Sequence, residues 1–217
     1  RNFLTNNTDM PNSVISEIFQ TTDKILDCMA NPLSKEGFKK KGLVVGHVQS
    51  GKTANFIALV NKAADVGYKL IIVIAGVHNN LRMQTQIRVN EGFVGFDAFK
   101  MEAVGVGIGL DGDTSKRPIS FTSTQYDFRK SNLNQLTFDP VNSNVPVVLV
   151  IKKNSSTLKN ILDWLSVSKD KDIYTITNEE FKGELIYAGG DDILAFLPVL
   201  LFFSPSNDPS SKSAYTS

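Results

Sequence analysis

Residues 46–53, Gly46-His47-Val48-Gln49-Ser50-Gly51-Lys52-Thr53, fit the pattern G-x-x-x-x-G-K-[ST] without a mismatch. The chemistry of that pattern is phosphate binding. A glycine-rich turn between a strand and a helix points successive main-chain N–H groups inward, where they cup phosphate oxygens. The helix that follows adds the partial positive charge of its N-terminus. Lys52 is then placed to reach the β- and γ-phosphates, and the Thr53 hydroxyl to ligate Mg²⁺. Gln49 and Ser50 donate to phosphates or shape the turn, and His47 is read as shaping the loop. The expected ligand is ATP, or another nucleoside triphosphate, with Mg²⁺.

The flanking segments suit such a loop. Gly42-Leu43-Val44-Val45 is an apolar run, and Leu43–Val45 within it reads as the first core strand. From Lys52 to Val66 the pattern is helical, with Phe56, Leu59, Val60 and Ala63 on one face, and Gly67 is a natural stop. Leu70-Ile71-Ile72-Val73-Ile74 is unbroken apolar sequence, as expected of a parallel strand covered on both faces. Asn79 or Asn80 then caps a helix from Leu81 to about Asn90. Residues 92–145 are loop-rich, with a short strand expected at 119–122 and a surface excursion at 132–144. Gly105-Val106-Gly107-Ile108-Gly109 has the wrong spacing for a dinucleotide fingerprint and lacks the helix that should follow it. Val147-Val148-Leu149-Val150-Ile151 is another buried strand. Ser155 or Ser156 caps a helix in which Leu158, Ile161, Leu162 and Leu165 share a face.

Strand–helix repetition with apolar strands predicts an α/β fold: a parallel sheet with flanking helices. The loops that follow the strands gather on one edge, where ligands bind. Before this lobe, residues 12–30 read as an amphipathic helix with Val14, Ile18, Ile25 and Met29 at helical spacing. After it, Glu184–Ala188 and Ile193–Leu197 flank Gly189-Gly190-Asp191-Asp192 and read as a C-terminal β-hairpin. The expected organisation is an N-terminal helix and basic linker (1–40), a P-loop lobe (41–170), a hairpin segment (171–203) and a Ser- and Pro-rich disordered tail (204–217).

Bulk composition narrows the classes. The chain has 217 residues, 41% hydrophobic and 21% charged, which is ordinary for a packed globular protein. Its net charge of +1 argues for no polyanion partner by itself, so any nucleic-acid contact must come from a local patch. Cys28 is the one cysteine, so no disulfide forms within the chain, which suits a cytoplasmic location. Cys28 is expected to be a buried structural thiol. The first residues carry no apolar stretch of a signal peptide, and the longest apolar run, 193–203, is shorter than the roughly 20 residues a membrane span needs. No His/Cys/Glu cluster has zinc-ligand spacing.

The series VVGHVQSGKTANFIALVNKAADVGYKLIIVIAGVHNNLRMQTQIRVNE resembles the Z-one domain of endonucleases, an ATPase module of superfamily 2 helicase type. Val150-Ile151-Lys152-Lys153-Asn154, followed by Leu158 and Trp164, is similar to a later motif of that family, so the resemblance spans residues 10–168. It implies a RecA-like P-loop lobe of a DNA-processing protein linked to restriction or phage defence. It also implies that a second motor lobe and a nuclease domain act with it in cis or in trans, and that this chain is a fragment. By the same resemblance, Arg82, Gln84 and Arg88 on the helix after the second strand face a nucleic-acid track. Gln84 and Arg88 are i, i+4 partners, as are Arg82 and Gln86. A solvated helix face is the alternative reading of these residues.

The family's acidic Walker B strand has no counterpart after Ser168. Residues 183–198, GELIYAGGDDILAFLP, instead resemble the GGDD palm, or cyclase, domain in the large subunit of type III CRISPR effectors. Three readings of Asp191 and Asp192 stand side by side. They hold two Mg²⁺ ions for nucleotidyl transfer, as that resemblance implies, in the remnant of a cyclase or polymerase. They replace the missing Walker B acid. Or they sit on an exposed turn without chemistry. The poor context on both sides of this segment suggests a chain that joins two unrelated pieces. A third class of function is a non-catalytic module for which the nucleotide is only a conformational ligand.

Overall fold

The computed structural model describes residues 2–32, 52–108, 114–129, 143–167 and 195–196. The expected strand at 43–45, residues 46–51 of the phosphate loop, the strand at 184–188, the Asp191–Asp192 pair and the tail lie outside these residues. In chain order the elements are α1 (Asn2–Asn7), α2 (Asn12–Cys28), α3 (Lys52–Asp65), β1 (Leu70–Ala75) and α4 (Asn79–Val89), then a π-helical turn (Asn90–Val94). They continue with β2 (Phe96–Asp97), β3 (Glu102–Ala103), a 3₁₀ turn (Gly105–Gly107), β4 (Ile119–Ser120), β5 (Val147–Lys152), α5 (Ser155–Val167) and β6 (Ala195–Phe196).

β4, β5 and β1 lie side by side and parallel, with Ile119 opposite Val147 and Leu70 opposite Val147 across the two ladders. The short β6 pairs antiparallel on the far side of β1, giving the order β4-β5-β1-β6. The class is therefore α/β with a parallel sheet at its centre. Continuous apolarity in β1 and β5 has the expected cause, because alternate residues face opposite ways and both faces are covered. Ile71, Val73, Ala75, Val148 and Val150 pack with Phe56 and Val60 of α3, Val89 of α4, and Phe93 and Val94. On the other face Leu70, Ile74, Val147, Leu149 and Ile151 pack with Phe128 and with Ile161 and Trp164 of α5.

Several local details differ from expectation. α4 starts at Asn79, with His78 at the cap position and no side-chain cap, so neither Asn79 nor Asn80 caps it. The cap of α5 is Asn154, whose Oδ1 accepts from the N–H groups of Ser156 (2.8 Å) and Thr157 (3.4 Å). This satisfies two of the donors a helix start leaves open. α2 buries Ile15, Ile18 and Thr22 while Val14 is exposed, so Ile18 is on the inner stripe as expected and the stripe is shifted towards Ile15 and Thr22. Cys28 is exposed and not a core thiol. At about 100° per residue it lies roughly 120° round the helix from Thr22. α2 is held to α3 by Lys62, whose ammonium donates to Phe19 O (2.7 Å), pairs with Asp23 and lies over the Phe19 ring.

The glycines of the loop-rich region have a packing role. Gly107 lies so close to Gly95 that a Cβ on it would fall 1.8 Å from Gly95 O. Gly105, at φ +50°, sits equally tightly against Glu91 O. This contact seats the 3₁₀ turn on the π-helical turn, and explains a Gly-x-Gly spacing that has nothing to do with a dinucleotide.

Candidate functional site at the carboxyl edge of the sheet

All three parallel strands end on one edge. The ends of β1 and β5 are joined there, where the Lys153 N–H donates to Gly76 O (3.4 Å). His78 is exposed just beyond β1. Lys52 opens α3, and Thr53 is exposed in its first turn. The hard oxygen donor expected of Thr53 is thus at the surface at a helix start.

The segment after β4 is built into this edge through side-chain hydrogen bonds. Ser120 and Thr122 face α4, while Ile119 and Phe121 face Trp164, the alternation expected of extended chain. The ladder from β4 to β5 runs through Ile119 N–H to Pro146 O (2.9 Å) and Phe121 N–H to Val148 O (3.0 Å). At the next rung the Val150 N–H donates to the Thr122 hydroxyl (2.8 Å) and not to a main-chain carbonyl. Thr122 in turn donates to Gln86 Oε1 (2.7 Å). The Gln86 amide donates to Asn90 Oδ1 (2.9 Å) and Ser120 Oγ (3.1 Å), so this fully buried side chain uses all its polar groups.

One turn earlier on α4, Arg82 is 3% exposed. Its guanidinium donates to the carbonyls of Ser123 (2.8 Å), Thr124 (2.9 Å) and Tyr126 (3.4 Å). Burial lowers its pKa from the usual arginine value, and the nearby Asp127 carboxylate partly offsets this. The fork that was expected to meet phosphates is therefore spent on the protein's own main chain. Gln84 and Arg88 form the exposed stripe of the same helix.

Phe121 and Phe128 fasten the two ends of the segment to Trp164, with ring centroids 5.7 Å and 5.6 Å away. Asp127 accepts from the N–H groups of Phe128 (2.8 Å) and Lys152 (3.4 Å), which ties the segment to the end of β5. Sequence reasoning did not single out Thr122, Tyr126 or Asp127. Their one local signal was alternation of apolar and polar residues from 119 to 122.

Among the described residues there is no group of three or more His, Cys, Asp or Glu that could hold a metal ion, and no helix long and apolar enough to cross a membrane. Compared with family models, curated proteins and solved structures, the chain gives no match.

Proposed function

We propose that this chain is the ATP- and Mg²⁺-binding lobe of a helicase-type, DNA-processing protein of the endonuclease kind, with RecA-like architecture. The observation that carries the reading is the unbroken G-x-x-x-x-G-K-[ST] motif, whose Lys52 opens a helix that packs on a parallel sheet. Strand-edge loops and a helix start are where triphosphates bind in such folds. Lys52 supplies an ammonium to the β- and γ-phosphates. Thr53 is exposed and offers the hydroxyl oxygen that Mg²⁺ prefers, so the described part of the donor set fits the ion. Bound Mg²⁺ would neutralise phosphate charge. Gln84 and Arg88 are the exposed pair on α4 left to contact a nucleic-acid backbone.

Hydrolysis needs an acid for Mg²⁺, a group that orients water and commonly an arginine from a second lobe. The chain alone therefore binds ATP with little or no turnover. Titration calorimetry with ATP and Mg²⁺ tests the proposal. Lys52→Ala should abolish binding, and an unchanged ATP affinity in that variant refutes it.

A further inference from the structure

We infer that residues 121–129 form a preorganised stacking platform for single-stranded nucleic acid, with the Tyr126 ring receiving a base and Arg129 the adjoining phosphate. This goes beyond the nucleotide-binding proposal and does not depend on it.

The argument starts from how the segment is built. Its ends are anchored by Phe121 and Phe128 on Trp164. Its middle is a tight turn in which Ser123 N–H donates to Tyr126 O (3.0 Å) and Tyr126 N–H donates to Ser123 Oγ (3.1 Å). Arg82 grips the same turn from beneath through three carbonyls. Burying a guanidinium is costly, and this one is used to fix a four-residue turn at the surface. What the turn displays is Tyr126, whose main chain is bonded on both sides while the residue is 51% exposed. The exposed Arg129 lies over its ring, with the guanidinium carbon 5.5 Å from the centroid.

An aromatic face beside a cation, on fixed main chain, is the chemistry that recognises an unpaired base and its phosphate. Preorganisation matters because ordering a loop on binding would consume part of the affinity. A duplex offers no such surface, since its bases are already stacked. Lys152 and Lys153 are at the end of β5, which the Lys152 N–H ties to this segment, and the one carboxylate of the segment, Asp127, is engaged by two main-chain N–H groups.

The test is fluorescence anisotropy with the full chain and labelled twelve-nucleotide oligo-dT and oligo-rU, beside a duplex of equal length. Wild-type protein should bind the single strands and prefer them to the duplex; the dT and rU arms show whether the sugar matters. Tyr126→Ala should weaken binding about tenfold, the usual scale for one stacked base, while Tyr126→Phe stays close to wild type. Arg129→Ala should weaken binding and flatten its salt dependence. Tyr126 is exposed, so the thermal midpoint should not move, which excludes unfolding as the cause. Lys52→Ala should leave oligonucleotide binding intact, which separates failure of this inference from failure of the ATP reading. Equal affinity of Tyr126→Ala and wild type, an equal loss in Tyr126→Phe, preference for duplex, or no binding overturns the inference.

Discussion

The Thr122 hydroxyl allows an isosteric test of how the strand edge is held. Thr122→Val keeps shape and volume and removes one oxygen. Thr122 is 3% exposed, and its two partners, Val150 and Gln86, are both 0% exposed. The variant breaks bonds of 2.7 Å and 2.8 Å and leaves the Val150 N–H and Gln86 Oε1 buried without them. An orphaned buried group costs about 1–3 kcal/mol, so two cost roughly 2–6 kcal/mol. The added methyl recovers up to about 0.8 kcal/mol of apolar burial. A loss of about 2–4 kcal/mol is expected once local relaxation is allowed for. Thr122→Ser keeps the hydroxyl, drops a methyl and should cost about 1 kcal/mol. Urea denaturation measures both. With slopes of roughly 1–3 kcal/mol/M, a loss of 3 kcal/mol lowers the midpoint by about 1–3 M at constant slope. Hydrogen exchange adds a local readout: the Val150 amide should lose protection, while that of Val147, which donates to Lys69 O, should not. A Thr122→Val variant within about 0.5 kcal/mol of wild type, or no worse than Thr122→Ser, refutes the assignment of this rung to the hydroxyl.

Two further outcomes follow from the packing. Tyr68 is 2% exposed, donates its hydroxyl to Ala30 O at 2.8 Å, and has its pKa raised above 10.0 by burial. Above pH 10 the unfolded phenol ionises first, so the contribution of this group is full below pH 10 and is lost as pH rises through the folded value. Tyr68→Phe should cost about 1 kcal/mol at neutral pH and reduce the alkaline loss of stability, and an unchanged alkaline slope in urea titrations refutes this. Gly107→Ala places a Cβ 1.8 Å from a main-chain oxygen, whereas Gly92→Ala meets only the Ile57 side chain, at 2.6 Å. Thermal unfolding should show Gly107→Ala losing more than about 4 kcal/mol and Gly92→Ala about 1–2 kcal/mol. Equal losses would remove the case for main-chain contact at Gly107.

What could be read from sequence followed the range of the forces involved. β1 and β5 were legible because burial on both faces leaves an unbroken apolar run. The start of α5 was placed to within a residue, but its cap was assigned to serines when Asn154 performs it. Both residue types suit a cap, and only geometry chooses between them. β4 was expected over 119–122, and the side chains do alternate through Thr122, yet main-chain strand geometry stops at Ser120. The difference is one hydroxyl that substitutes for a carbonyl, a detail no periodicity encodes.

α4 shows most clearly why the site was only half legible. Its sequence offers two polar i, i+4 pairs, Arg82 with Gln86 and Gln84 with Arg88, and nothing local says which faces in. Hydrophobicity ranks all four as surface residues. The choice is made by acceptors far along the chain: the carbonyls of residues 123, 124 and 126 take Arg82, and Ser120 and Thr122 take Gln86. Those acceptors follow the end of β4 at Ser120, where the chain leaves strand geometry and turns its carbonyls and hydroxyls towards α4. A leucine in place of Gln86 would pack there, but it would take away the acceptor of the Thr122 hydroxyl and the donor to Asn90 Oδ1 and Ser120 Oγ. Polar sequence on the inner face of α4 is thus a consequence of where a strand stops. The same stop fixes the turn that carries Tyr126 to the surface.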